Sequence, residues 1–83
     1  MHRMRDADCV VTLIGFVQND DGTESVADIV ETCRHYAYRF YSKFVRDEQI
    51  CRITVERRDA PQTRRTIYKG LGRNAPLEYS VLR

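Results

Sequence analysis

This chain lacks a closely spaced cysteine pair, and no hydrophobic run is long enough to cross a membrane. The three cysteines are an odd number with no C-x-x-C pair, which argues against a disulfide framework and against a zinc site. The longest apolar run, residues 9–17, falls far short of the ~20 residues of a membrane helix. No small-residue cleavage site is present either, so we expect no signal peptide and a cytoplasmic location. Together with the cysteine spacing and the short apolar run, this predicts no metal or other cofactor and no membrane partner.

Diagnostic motifs are also lacking. Gly70-Leu71-Gly72 is followed by Pro76 and a predicted strand, whereas a phosphate-binding glycine loop opens a helix, so we interpret this stretch as a turn. The aromatic-rich RNP pattern of an RNA-recognition motif is missing as well. Function must therefore be inferred from how charge and apolar residues are distributed.

What the chain does have is the composition of an ordinary globular domain. Its 83 residues are 42% hydrophobic and 31% charged, a balance typical of folded soluble proteins. A chain of this length buries only roughly 60% of its unfolded surface and is too short for two cores. We expect one domain over residues 1–83, with residues 1–8 as a flexible N-terminal segment.

Charge is unevenly placed along the sequence. The net charge is only +2, yet residues 57–73 hold six of the fourteen basic residues and one acid, while residues 20–31 hold five acids and no base. Arginine outnumbers lysine twelve to two, which fits phosphate recognition but is equally produced by GC-rich coding. The chain is polarised rather than basic.

Apolar periodicity predicts the order β-α-β-β-β. Residues 9–17 are apolar at both parities, which is typical of a central strand. Ser25 and Asp28 fit a helix N-cap pair, and apolar residues then recur every three or four positions, at 26, 29, 30, 33, 37, 40 and 44. This spacing predicts one long amphipathic helix. Three further strands are expected at 49–58, 64–69 and 77–82, with a hairpin loop at 59–63.

We therefore expect an α+β two-layer sandwich, with the long helix on one face of a four-stranded mixed sheet. The first two strands would run parallel through a right-handed helical crossover, and the second face of the sheet would stay open. Alternation of side chains along the strands gives that face an apolar interface and a set of partner-binding residues. The apolar interface is Val10, Ile14 and Phe16, and the partner-binding set is Arg52, Arg58, Arg64, Tyr68 and Arg73.

The other cations of residues 57–73 are predicted to point to the opposite face of the sheet. Arg57, Arg65 and Lys69 have the opposite parity, so they should face the helix side, where the acids of residues 20–31 would neutralise some of them.

The first functional hypothesis is a non-catalytic small binding protein whose open face engages a protein or nucleoprotein complex. Short proteins of this format occur among phage and mobile-element inhibitors, including anti-CRISPR proteins, a class with no common motif. A second copy of the chain, giving a homodimer, and residues 1–8 folded over the face are alternative occupants.

Two other hypotheses stay open. One is a nucleic-acid-binding module that uses the arginines and Tyr68 of the same face. The other is a small RNase-type toxin that uses His35 as its acid or base, although no paired base, acid and phosphate clamp is discernible in the sequence.

Overall fold

The computed structural model describes residues 10–69, which form four strands and one helix in the order β-β-α-β-β. The elements are β1 (Val10–Gln18), β2 (Glu24–Cys33), α1 (Arg34–Arg46), β3 (Ile50–Arg57) and β4 (Ala60–Tyr68). The sheet order is β2-β1-β3-β4, and every neighbouring pair is antiparallel. The α+β class is confirmed, whereas the predicted β-α-β-β-β order, the parallel crossover and the mixed sheet are wrong for these residues.

Three sequence predictions fall elsewhere in the chain. Segment 1–8, the strand at 77–82 and Arg73 lie outside the described residues.

The β1–β2 hairpin is the main departure from the predicted topology. Its loop is closed by hydrogen bonds from the Asn19 amide to the Thr23 carbonyl (2.7 Å) and from the Gly22 amide to the Asn19 carbonyl (3.0 Å). Gly22 has φ 91°, the left-handed conformation that a short hairpin loop needs and that glycine adopts without strain. The Asp21 carboxylate accepts bonds from the Thr23 amide (3.0 Å) and hydroxyl (2.6 Å). The predicted helix start at Ser25 is therefore wrong.

A bulge in β2 explains why this strand resembles a helix in sequence. Phe16 of β1 pairs with Val26 while Gly15 pairs with Asp28, so Ala27 is an extra residue between them. The extra residue turns Val26 and Ile29 to the same face of the sheet. On a regular strand, residues three apart point to opposite faces. The bulge brings these two to the same face, so their spacing of three resembles helical periodicity.

The helix is correspondingly short. α1 has 13 residues and begins at Arg34, whereas the apolar spacing predicts a helix that already includes residue 26. Cys33 at its N-cap makes no side-chain capping bond. At the other end the Asp47 amide donates to the carbonyls of Lys43 (3.1 Å) and Phe44 (3.2 Å). The buried ammonium of Lys69 donates to the Asp47 carbonyl at 2.8 Å. Burial lowers the pKa of Lys69, although a cation at a helix C-terminus is favoured by the dipole.

The core lies between α1 and the central strands. It contains Val11 and Leu13 of β1, Ile53 and Val55 of β3, and the helix residues Ala37, Tyr41, Phe44 and Val45. Ile53 and Val55 are buried on the helix side, as the alternation of apolar and polar residues over 49–58 indicates. Gly15 leaves room for the Ile50 side chain of the neighbouring strand, because a Cβ on it would lie 2.6 Å from Ile50 Cδ1.

Candidate protein-interaction face

The sheet face opposite α1 carries no helix from residues 10–69, and we call it the open face. Strand register places the following side chains on it: Val10, Thr12, Ile14, Phe16, Gln18, Glu24, Val26, Ile29, Glu31, Cys33, Arg52, Thr54, Glu56, Arg58, Arg64, Thr66 and Tyr68. The described part of the predicted site set thus shares one surface.

Two rows of side chains run across the middle of this face. In one, Phe16 on β1 lies between Val26 on β2 and Arg52 on β3, and Arg52 is followed by Tyr68 on β4. In the next row, Ile14 lies between Ile29 and Thr54. The apolar side chains are therefore concentrated on β1 and β2, and the polar ones on β3 and β4.

Each arginine of the open face is paired with a glutamate. Arg52 contacts Glu24 at 2.7 Å, Arg58 contacts Glu31 at 2.9 Å, and Arg64 contacts Glu56 at 3.0 Å. Three positive and three negative charges cancel (3 − 3 = 0) among the described residues of this face. The arginines are thus committed to intramolecular carboxylates.

Two of these ion pairs reach across β1. Glu24 belongs to β2 and Arg52 to β3, so their side chains meet above the strand between them. Arg52 Cζ lies 3.8 Å from the centre of the Phe16 ring, a cation–π contact, and Arg52 Nε donates to Glu24 Oε1 at 2.8 Å. The guanidinium therefore covers Phe16, which is half-buried. Arg58 and Glu31 bridge β1 in the same way at its other end.

Between the two bridging pairs lies an apolar window, which we define as Ile14, Val26 and Ile29. Ile29 is 58% exposed and Val26 is 51% exposed, whereas Ile14 beside them is partly buried. Tyr68, which is 76% exposed, stands apart from the window at the β4 edge. The open face thus presents exposed apolar side chains framed by neutral ion pairs.

Sequence reasoning missed half of this surface. Val26 and Ile29 were placed on a helix, and the pairing of the arginines with Glu24, Glu31 and Glu56 was not foreseen. The available signal was the Asn-Asp-Asp-Gly turn followed by the β-branched residues Val26, Ile29, Val30 and Thr32, a pattern typical of a hairpin.

The acids of residues 20–31 have a different role from the one predicted. Glu24 and Glu31 neutralise Arg52 and Arg58 on the open face, not the cations of the helix side. Arg57 pairs instead with Asp59, at 3.1 Å from Nε and 2.8 Å from Nη2. This contact lowers the pKa of Asp59 and raises that of Arg57.

His35 lies in the first turn of α1, exposed to solvent and away from the open face. Its ring meets that of Tyr36 edge-on, with 5.2 Å between the centroids. The 13 residues of α1 include no carboxylate, so the helix itself supplies no acid to form a general acid–base pair with His35.

Cys51 is the extra residue of a second bulge, where Phe16 pairs with Arg52 and Val17 with Ile50. Its buried thiol donates to the Phe16 carbonyl (3.5 Å) and the Glu24 carboxylate (3.7 Å). Burial and the nearby Glu24 charge raise the pKa of this thiol. Cys51 therefore stays protonated and is an unreactive part of the fold.

Residues 10–69 contain no group of three His, Cys, Asp or Glu side chains placed to hold a metal ion. Nor do they contain a helix with the length and hydropathy to traverse a bilayer. Comparison with models of known families, with curated proteins and with solved structures finds no match.

Proposed function

We propose that this protein is a non-catalytic binding protein whose open face docks a protein through the apolar window. The observation that carries the proposal is the exposure of Val26 and Ile29 beside Ile14 on a sheet face that no described helix covers. Exposed apolar side chains that cluster on one face typically mark an interaction surface.

A protein partner is better supported on this face than a nucleic acid. Phosphate recognition requires arginines that are free to neutralise phosphates and so displace the counterions condensed on the nucleic acid, whereas Arg52, Arg58 and Arg64 each hold a glutamate within 3.0 Å. Phosphate contact would require these pairs to open. A neutral frame around an apolar centre instead matches the polar rim and apolar core of a protein interface.

The area of the open face indicates how tightly a protein partner would bind. Four strands spaced ~4.8 Å apart, each with about eight residues of ~3.3 Å rise, span an area of roughly 500 Å². Two such surfaces bury about 1,000 Å², at the lower end of specific interfaces. We therefore propose a reversible complex, with Ile29 and Ile14 as anchors and the ion pairs as the rim.

The biological role that fits this mode is inhibition by steric blockade. A small protein that covers a functional surface of its partner inhibits without chemistry of its own, as phage and mobile-element inhibitors of the anti-CRISPR type do. We propose a cytoplasmic setting, supported by the free thiols of Cys33 and Cys51.

Affinity capture from a nuclease-treated extract of the native host tests the proposal. Immobilised wild-type protein should retain a specific protein that Ile29→Glu does not retain, because a charge in the apolar window would be desolvated on binding. Tyr38→Glu is the matched control, since Tyr38 is 44% exposed on α1, on the other side of the sheet.

Two results would contradict the proposal. One is recovery of the same proteins with Ile29→Glu as with the wild type, and the other is loss of all proteins after nuclease treatment. Sedimentation velocity at micromolar concentration identifies a second copy as the partner if Ile29→Glu abolishes a dimer that the wild type forms.

A further inference from the structure

The outer face of α1 carries a concentration of positive charge that contrasts with the neutral open face. Its 13 residues include Arg34, Arg39, Lys43 and Arg46 and no acid. Among residues 10–69, every ion pair involves an arginine of β3, β4 or the turn between them, and none involves a helix residue. The charge of Arg34 does act on Asp59 and lowers its pKa.

Helix stability does not account for this charge. The acids Asp28 and Glu31, which would have balanced a longer helix, belong to β2, and the first turn of α1 contains no acid. Arg39 and Lys43 are four residues apart, and Lys43 and Arg46 are three apart. Like charges at these spacings destabilise a helix by roughly 0.2–0.5 kcal/mol per pair. Only Lys43 and Arg46 gain from their position in the last turn.

Three of these cations form a continuous line, which we call the α1 stripe: Arg39, Lys43 and Arg46. At 100° per residue they fall within about 60° of arc, opposite the buried Ala37 and Tyr41. All three are exposed. The stripe extends about 10 Å along the helix axis, the length of roughly three phosphates at ~3.4 Å rise per nucleotide of one strand.

Aromatic rings lie beside the stripe. Arg39 Cζ is 5.7 Å from the centre of the Tyr36 ring, and Tyr36 is 49% exposed. A side-chain hydrogen bond with Tyr38 raises the pKa of Arg39. An exposed ring within a basic surface offers a stacking platform for a base, which favours a nucleic acid over an acidic protein.

We propose that the α1 stripe binds the phosphodiester backbone of a nucleic acid, with Tyr36 available to stack on an unpaired base. The stripe and the apolar window lie on opposite sides of the sheet, so a protein and a nucleic acid can be bound at once. The proposal is independent of the one made for the open face, and each is tested by different variants.

The test is fluorescence anisotropy with a labelled 20-nucleotide DNA of mixed sequence, single-stranded in one arm and duplex in the other. Three phosphate contacts give a slope of about −2.7 in log K against log[salt] for duplex. The affinity should therefore fall roughly 40-fold between 50 and 200 mM salt. The single-stranded arm should fall about 20-fold, with a slope near −2.1, and Tyr36→Ala should weaken that arm alone.

Two triple variants of equal charge change locate the binding surface. Neutralising the stripe with Arg39→Gln, Lys43→Gln and Arg46→Gln should lower affinity at 50 mM salt at least tenfold and flatten the salt dependence. The matched control neutralises the open face with Arg52→Gln, Arg58→Gln and Arg64→Gln, and should change affinity less than threefold. Circular dichroism melting verifies that both variants are folded.

Three outcomes overturn the proposal. The first is the absence of salt-dependent DNA binding by the wild-type protein at 50 mM salt. The second is an equal loss of affinity in both triple variants, which would show a response to net charge alone. The third is binding of a labelled 20-residue polyglutamate peptide as tightly as DNA, which would assign the stripe to acidic proteins.

Discussion

Replacement of Arg52 tests the geometry of the open face most sharply, because this side chain makes two contacts at once. Its guanidinium stacks on Phe16 at 3.8 Å and pairs with Glu24 at 2.7 Å. A cation–π contact at a partly exposed site contributes about 0.5–1 kcal/mol, and an exposed ion pair about 0.2–1 kcal/mol. Arg52→Met retains most of the aliphatic stem and should lower the free energy of unfolding by about 1–2 kcal/mol.

Double-mutant cycles in urea denaturation separate the two contacts. The cycle of Arg52→Met with Phe16→Leu should give a coupling energy of about 0.5–1 kcal/mol, and the cycle with Glu24→Gln about 0.2–1 kcal/mol. A melting experiment should show a decrease of about 4–8 °C per kcal/mol for a domain of this size. If Arg52→Met and Phe16→Leu were additive within ~0.3 kcal/mol, the stacked arrangement would be refuted.

Four other variants probe the fold and the charge balance of the open face. Gly15→Val should cost about 1–3 kcal/mol in urea denaturation by overpacking against Ile50, and wild-type stability would show that the Ile50 side chain does not pack closely on Gly15. Gly22→Ala should cost about 1 kcal/mol because φ is 91° there; an unchanged midpoint would argue against this turn. Because burial lowers the pKa of Lys69, the unfolded state binds more protons between the folded and unfolded pKa values, so stability should rise with pH up to about 10.4. Lys69→Met should lack that rise, and identical pH profiles would count against a buried ammonium. Neutralising the three glutamates that pair with the arginines should make the open face bind DNA, with a salt slope two to three units steeper than that of the wild type. An unchanged slope would mean that the ion pairs do not prevent these arginines from binding phosphate. The glutamates are Glu24, Glu31 and Glu56.

The first strand and its exposed parity were predictable from the sequence because β1 is central. A strand with neighbours on both sides shows apolar residues at both parities, and Val11 and Leu13 do face α1 while Ile14 and Phe16 face away. The outward positions of Arg52 and Tyr68 follow in the same way from the alternation of side chains along β3 and β4.

The topology was not predictable by periodicity alone because a bulge changes the period. With Ala27 inserted in β2, Val26, Ile29 and Cys33 share a face at spacings of three and four, as they would on a helix. Only the turn chemistry at Gly22 and the β-branched composition favour the strand. The ion pair between Glu31 and Arg58 was not predictable for the same reason, because a Glu31 placed on a helix would not lie beside Arg58 on the sheet.

The interpretation of the cations of α1 also depends on where the helix begins. On one long helix, these cations would complement the acids of its first half, Asp28 and Glu31. Once β2 takes those acids, α1 is left with an unbalanced stripe. The position of one helix boundary thus decides whether these cations share a helix with Asp28 and Glu31.

The most direct test of the central claim is a calorimetric titration of the captured protein partner into wild-type protein and into Ile29→Glu, at 50 and 200 mM salt. Docking on the neutral apolar window predicts a Kd that changes less than about twofold with salt, a negative heat-capacity change and at least tenfold weaker binding by Ile29→Glu. A Kd that rises by a decade with salt, together with wild-type affinity in Ile29→Glu, would contradict it.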